Sequence, residues 1–123
     1  MLALRPAVTL TLHLESPILD ESAFLTMTDR IFNQLISQLD NADADLECLL
    51  SGNVLEIECE DGSKIIVNRH TPNQELWIAA KSGGFHFRHM NDQWADTRSG
   101  EDFYAALSRV LSEHTGMPCS VHA

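Results

Sequence analysis

Basic side chains are scarce in this chain: eight Lys and Arg stand against eighteen Asp and Glu, for a formal net charge of −10. A field of that sign repels phosphate backbones and anionic lipid headgroups and attracts cations or basic protein surfaces, so neither nucleic acid nor a membrane is an expected partner. Long apolar runs are lacking too, none approaching the roughly 18 residues that would mark a membrane span. Cysteine occurs three times, at Cys48, Cys59 and Cys119, an odd number with no C-x-x-C pair. Two of the three sit in apolar stretches where cysteine packs as a small hydrophobe, the usage of a reduced, cytoplasmic protein. Catalytic templates are missing as well. No nucleophile with base and orienter, no phosphate-binding glycine loop and no H-E-x-x-H pair is present, and the Glu-x-x-His motif of a ferroxidase site is absent, so no enzyme is expected.

The opening stretch MLALRPAVTLTLHLESP has one Arg and alternating Thr and Leu, and matches neither an unbroken signal-peptide core nor an Arg-rich transit peptide. A disordered extension, a stray extra strand and a misplaced start codon all remain open for it. The expected organisation is an N-terminal extension over 1–19, one domain over 20–116 and a short tail over 117–123; 123 residues suit a single core.

The acidity that is present is unevenly placed. Residues 1–61 carry twelve acids and only Arg5 and Arg30, whereas residues 62–123 carry six of each sign, so the whole net charge belongs to the first half.

From Ser22 to Leu39 the apolar residues Phe24, Met27, Ile31, Leu35 and Leu39 recur at spacings of three and four, predicting an amphipathic helix. Asp20 and Glu21 favour its positive N-terminus, and Asn41-Ala-Asp-Ala-Asp45 stops it. The next fifty residues read as short strands between turns: Asp45–Ser51, Val54–Cys59, Lys64–Asn68, Glu75–Ala80, Phe85–His89 and a short one around Trp94, with Gly83-Gly84 inside a hairpin turn. Ser99-Gly-Glu-Asp102 supplies an N-cap with an acid at the third helical position, and Phe103, Leu107, Val110 and Leu111 predict a second helix to about His114, stopped by Gly116 and Pro118. The expected fold class is α+β, a two-layer sandwich with two helices packed on one face of an antiparallel sheet of about six strands. The other sheet face is then open to solvent.

Two groups of residues are candidates for function. Asp40, Asp43, Asp45 and Glu47 fall at the end of the first helix and along the first strand, where hard carboxylate oxygens suit Fe²⁺, Fe³⁺, Mg²⁺, Ca²⁺ and Mn²⁺. The plainer reading is a solvated acidic face that keeps the protein soluble. Trp77 has the parity opposite to Leu76 and Ile78, which places it on the open sheet face as a binding anchor or a packed aromatic. His86 and His89 read as surface residues.

The run Asp61-Gly-Ser-Lys-Ile-Ile-Val-Asn-Arg-His-Thr-Pro-Asn-Gln-Glu-Leu-Trp-Ile-Ala, followed by Ser82-Gly-Gly-Phe-His-Phe, Trp94 and Asp96-Thr-Arg-Ser-Gly100, resembles the frataxin family, most closely its bacterial members. The resemblance spans Asp20 to Gly116 and implies the same sandwich. It implies weak iron binding without catalysis, and docking on the cysteine desulfurase of iron–sulfur cluster assembly, with the cluster scaffold protein as a further partner. Carried onto this chain, the family's acidic ridge falls on Glu21, Asp40, Asp43, Asp45 and Glu47, and its exposed sheet contacts on Asn68, His70 and Trp77. The chain departs from the bacterial pattern at Ile36 and Ser37, where relatives carry a Glu pair, and at Asn41. A monomeric, iron-binding regulator of cluster assembly is the expectation; the alternative is a metal-independent interaction module built around Trp77.

Overall fold

Asp20 starts the first helix by accepting the Ala23 N–H on Oδ1 at 2.8 Å, and α1 runs Glu21–Asp40. This computed structural model describes residues 19–123, so the readings of the opening segment lie outside the described residues apart from residue 19. After α1 come β1 (Leu46–Ser51), β2 (Val54–Cys59), β3 (Lys64–His70), β4 (Glu75–Ala80), β5 (Gly83–Met90), β6 (Gln93–Asp96) and α2 (Phe103–Thr115). The six strands form one sheet in the order β1-β2-β3-β4-β5-β6, each antiparallel to its neighbour. The architecture is the expected one, with both helices on one face.

The buried stripe of α1 is Phe24, Thr28, Ile31, Phe32, Leu35 and Leu39. It packs with Leu55, Ile57, Ile65, Val67, Leu76, Ile78 and Phe87 from the sheet and Phe103, Leu107, Val110 and Leu111 from α2 into one apolar cluster. Burying each such side chain is worth about 1.5–3 kcal/mol, so this cluster dominates the favourable terms. Met27, expected in the stripe, is only partly buried; Phe32 and Thr28 take its place. Thr28 is tolerated at zero exposure because its hydroxyl donates to the Phe24 carbonyl at 2.8 Å and accepts from Arg69 Nη1 at 3.1 Å.

Three local expectations are corrected. The α2 N-cap is Asp102, which accepts the Ala105 N–H at 3.1 Å, and not Ser99; Ser99 Oγ instead accepts the Glu101 N–H within the preceding loop. Gly83 and Gly84 lie in β5, paired with Ala80 and Ala79 around a two-residue turn at Lys81-Ser82, rather than inside the turn. Strand β3 continues two residues past Asn68 to His70, because Arg69 and His70 still pair with Leu76 and Glu75. The residues after α2 do not simply trail away: Ser108 Oγ donates to the Val121 carbonyl and accepts its N–H, Ser112 Oγ accepts the Cys119 N–H, and Val121 is buried.

At the end of the sheet opposite the Thr71–Gln74 turn, one buried histidine joins three segments. His114 Nε2 accepts the Lys81 backbone N–H at 3.3 Å, so its proton is on Nδ1, 2.9 Å from Ser63 Oγ. The Ser63 hydroxyl in turn donates to Asp61 Oδ1 at 2.6 Å. Hydrogen bonds from the Ser63 hydroxyl and N–H, joined by Lys81, hold the Asp61 carboxyl at about 2. Burial, followed by the charge on Lys81, pushes the His114 imidazole below its ordinary 6.5. The unfolded chain therefore takes up this proton first, and the staple's contribution is complete above about pH 6.5 and declines as the solution is acidified. Urea unfolding between pH 8 and 5 is expected to show that decline, and His114→Gln is expected to flatten it; an unchanged pH profile in the variant would remove His114 from the account.

Candidate functional site

Helix α1 ends against electrostatic preference. Its last turn has no basic residue and finishes on Asp40, an acid at the negative end of the helix dipole. The chain then turns through Asn41–Asp45 into β1, leaving Asp40, Asp43, Asp45 and Glu47 all exposed. Among the described residues none of the four is within ion-pair distance of a Lys, Arg or His. Several acids elsewhere are matched, Asp29 with Arg69 at 2.6 Å, Asp61 with Lys81 at 3.3 Å, Glu56 with Lys64 at 3.4 Å and Glu101 with Arg109 at 2.9 Å, whereas Glu21, Glu58 and Glu60 share the rim's lack of an ion pair among the described residues. The sheet adds to the imbalance, because the β1–β2 register sets Glu47 directly opposite Glu58. Burial, helped by the Asp40 charge, lifts the Cys48 thiol to about 11, which keeps it protonated and unfit as a soft-metal ligand near neutrality.

The structure thus brings four of the five expected ridge residues to one corner. Glu21 is not with them: it sits at the other end of α1, about 28 Å away at 1.5 Å of rise per residue. Nor do the four close into a cage, since among the described residues no group of three or more His, Cys, Asp or Glu has metal-holding geometry. The donor set fits a hydrated hard cation held at one or two carboxylates, exchangeable and poorly selective. It does not fit a closed site.

The second candidate region lies on the open face of the sheet. The register sets Asn68 beside Trp77 and Trp77 beside His86, with His70, Glu75 and Arg88 in the adjoining row. All three expected residues, Asn68, His70 and Trp77, are therefore on one face. The Trp77 ring is stacked on both sides, by His70 at a centroid distance of 4.1 Å and by His86 at 4.2 Å, with planes within 8° and 6°. Trp77 Nε1 donates to Glu75 Oε1 at 2.7 Å, and Arg88 Nη2 holds Glu75 Oε2 at 3.0 Å. Glu75 is only 6% exposed although it stands on the uncovered face, because the rings and Arg88 enclose it.

Sequence reading treated His86 and His89 alike, and the structure separates them. His86 completes the stack on the open face, whereas His89 faces the helix side and lies 5.3 Å from Trp94. The two-residue turn at Lys81-Ser82 is the signal that identifies His86, since it fixes the register that brings position 86 opposite 77.

A frataxin-like domain model matches residues 17–117. The iron-sulfur cluster assembly protein CyaY of Neisseria meningitidis serogroup B is 50% identical over 99 residues, covering 80% of this chain and 92% of that protein. The CyaY protein of Cupriavidus metallidurans is 51% identical over 105 residues, covering 82% and 95%. Among solved structures, frataxin from Psychromonas ingrahamii superposes with a TM-score of 0.79 at 26% identity, over 85% of this chain and all of that one.

Because Asp40 opposes the helix dipole, Asp40→Asn is expected to raise the unfolding free energy by roughly 0.3–1 kcal/mol. Urea denaturation at low salt reads this directly. A loss of stability would mean that the carboxylate has a structural partner and is not free for a cation.

Proposed function

The chain belongs to the frataxin family, and from that premise we propose that it is an accessory protein of iron–sulfur cluster assembly that binds iron weakly and docks on a cysteine desulfurase. Its closely related CyaY proteins carry the cluster-assembly name. The observation that carries the finer reading is the rim of Asp40, Asp43, Asp45 and Glu47, exposed and without ion pairs among the described residues.

Two consequences follow from that charge. Ferrous or ferric iron, treated as cargo, is attracted by carboxylates that leave most of its hydration in place, so it is released as readily as it is taken up. A basic surface on the desulfurase is attracted by the same field, which speeds encounter and makes the complex sensitive to salt. Cation and partner then compete for one rim. Asn68, His70 and Trp77 supply a contact of a different character, aromatic and preorganised, for the desulfurase or the cluster scaffold. The chain has the part of an accessory protein and contributes no catalytic group of its own.

The stacked face also favours a second reading, in which docking runs through Trp77 and is indifferent to iron. Anaerobic Fe²⁺ titration and desulfurase binding, measured on the parent and on a variant with Asp40→Asn, Asp43→Asn, Asp45→Asn and Glu47→Gln, separate the two. The first reading expects the variant to lose iron binding and to associate roughly ten-fold or more slowly at low salt. Unchanged titrations, with docking abolished only by Trp77→Ala, would establish the second reading instead.

A further inference from the structure

We propose that His70 and His86 are positioning residues for Trp77, a proton-responsive clamp that offers the indole to a partner by its edge and sets the charge of the surface around it. The clamp is a property of the free chain; only its consequence for docking rests on the function proposed above.

The geometry of three neighbouring strands carries the argument. Side chains stand roughly perpendicular to a sheet, and directly opposed or diagonal neighbours on one face lie within reach of aromatic rings. His86 on β5 is opposite Trp77 on β4, and His70 on β3 is its diagonal neighbour, two residues beyond Asn68 and on the same face. Each imidazole lies flat against one indole face, at 4.1 and 4.2 Å. Both faces of the ring are therefore taken, and its one polar atom is already bonded to Glu75. A partner meets only the indole edge and the outer faces of the imidazoles.

Charge on this stack is adjustable. The charged and titratable groups that face it are Glu75 on its own strand and Arg88 on β5, with the Glu56–Lys64 pair and then Glu58 and Glu47 further across the same sheet face. Arg88 and Glu75 neutralise one another, so the imidazoles decide the local sign. A proton on His86 sets a positive charge 3.8 Å from Glu75 Oε1 and against the indole face. A proton on His70 Nδ1 breaks the bond that atom accepts from the Asn73 N–H at 3.3 Å, releasing the β3–β4 turn while gaining the same ring contact. Protonating the two imidazoles thus turns an uncharged aromatic platform into a cationic one.

The test uses the full chain with Trp94→Phe, which leaves Trp77 as the single indole of the two in the sequence. Emission from Trp77 is expected to fall reversibly between pH 8 and pH 5, since imidazolium quenches excited indole by electron transfer. The change of both histidines to Phe keeps the stack but cannot take a proton: shielding of Trp77 from acrylamide should persist while the pH response disappears. Changing both to Ala should lose the two together. The indole Nε1–H resonance, followed by NMR against pH in the chain with both tryptophans, gives the same answer should Trp94→Phe fail to fold. A pH response surviving in the Phe pair, or equal acrylamide quenching in the Ala pair and its parent, would overturn the clamp. Docking is judged separately: desulfurase affinity should vary with pH in the parent and not in the Phe pair, whereas full affinity in Trp77→Ala would count against the docking reading and not against the clamp.

Discussion

The uncompensated charge of Asp40, Asp43, Asp45 and Glu47, exposed and without ion pairs among the described residues, is the constraint around which the functional reading is arranged. Four exposed carboxylates within eight residues, one of them at the negative end of a helix dipole, work against folding. They are held together because α1 is fixed to the sheet by Phe24, Ile31, Phe32, Leu35 and Leu39, all of which are buried. The apolar stripe decides where the helix lies and therefore where its acidic end and the following strand must be. Breaches of local preference that the core tolerates are commonly found where a protein does its work.

The rim and the aromatic face are parts of one continuous surface. Glu47 and Glu58 stand on the uncovered side of the sheet, as Trp77 does, and Glu47 lies three strand spacings of about 4.8 Å across the sheet and four residues, about 13 Å, along it from Trp77. A partner of ordinary interface size spans that distance easily. In the docking proposed above the two regions would divide the labour: unpaired charge acts at long range and is screened by salt, whereas the His70–Trp77–His86 stack acts only on contact.

Much of this was legible in the sequence because it depends on period. Stripes at three and four residues gave both helices, alternation gave Leu55, Ile57 and Cys59 as one buried face, and the parity of Trp77 put it on the other. The asymmetry of charge was a matter of counting. What escaped was set by tertiary contact. Ser99 looked like the α2 cap because residue type alone does not separate it from Asp102, and only the chain path decides which side chain reaches a free N–H. Glu21 was placed on the ridge by family resemblance alone, and it lies at the far end of α1, about 28 Å from Asp40. His86 was passed over since its role requires the exact strand register, and the docking of Val121 requires two serines of α2 to face the returning tail.

Uncompensated charge has a signature that needs neither iron nor partner. If the rim acids repel one another, screening them must stabilise the fold, so the unfolding free energy should rise as sodium chloride is increased from 10 to about 150 mM, where the Debye length shortens to about 8 Å. That rise should shrink when the four rim acids become amides. A stability indifferent to salt, or one that falls with it, would show that these carboxylates are already balanced within the folded chain and would contradict the account.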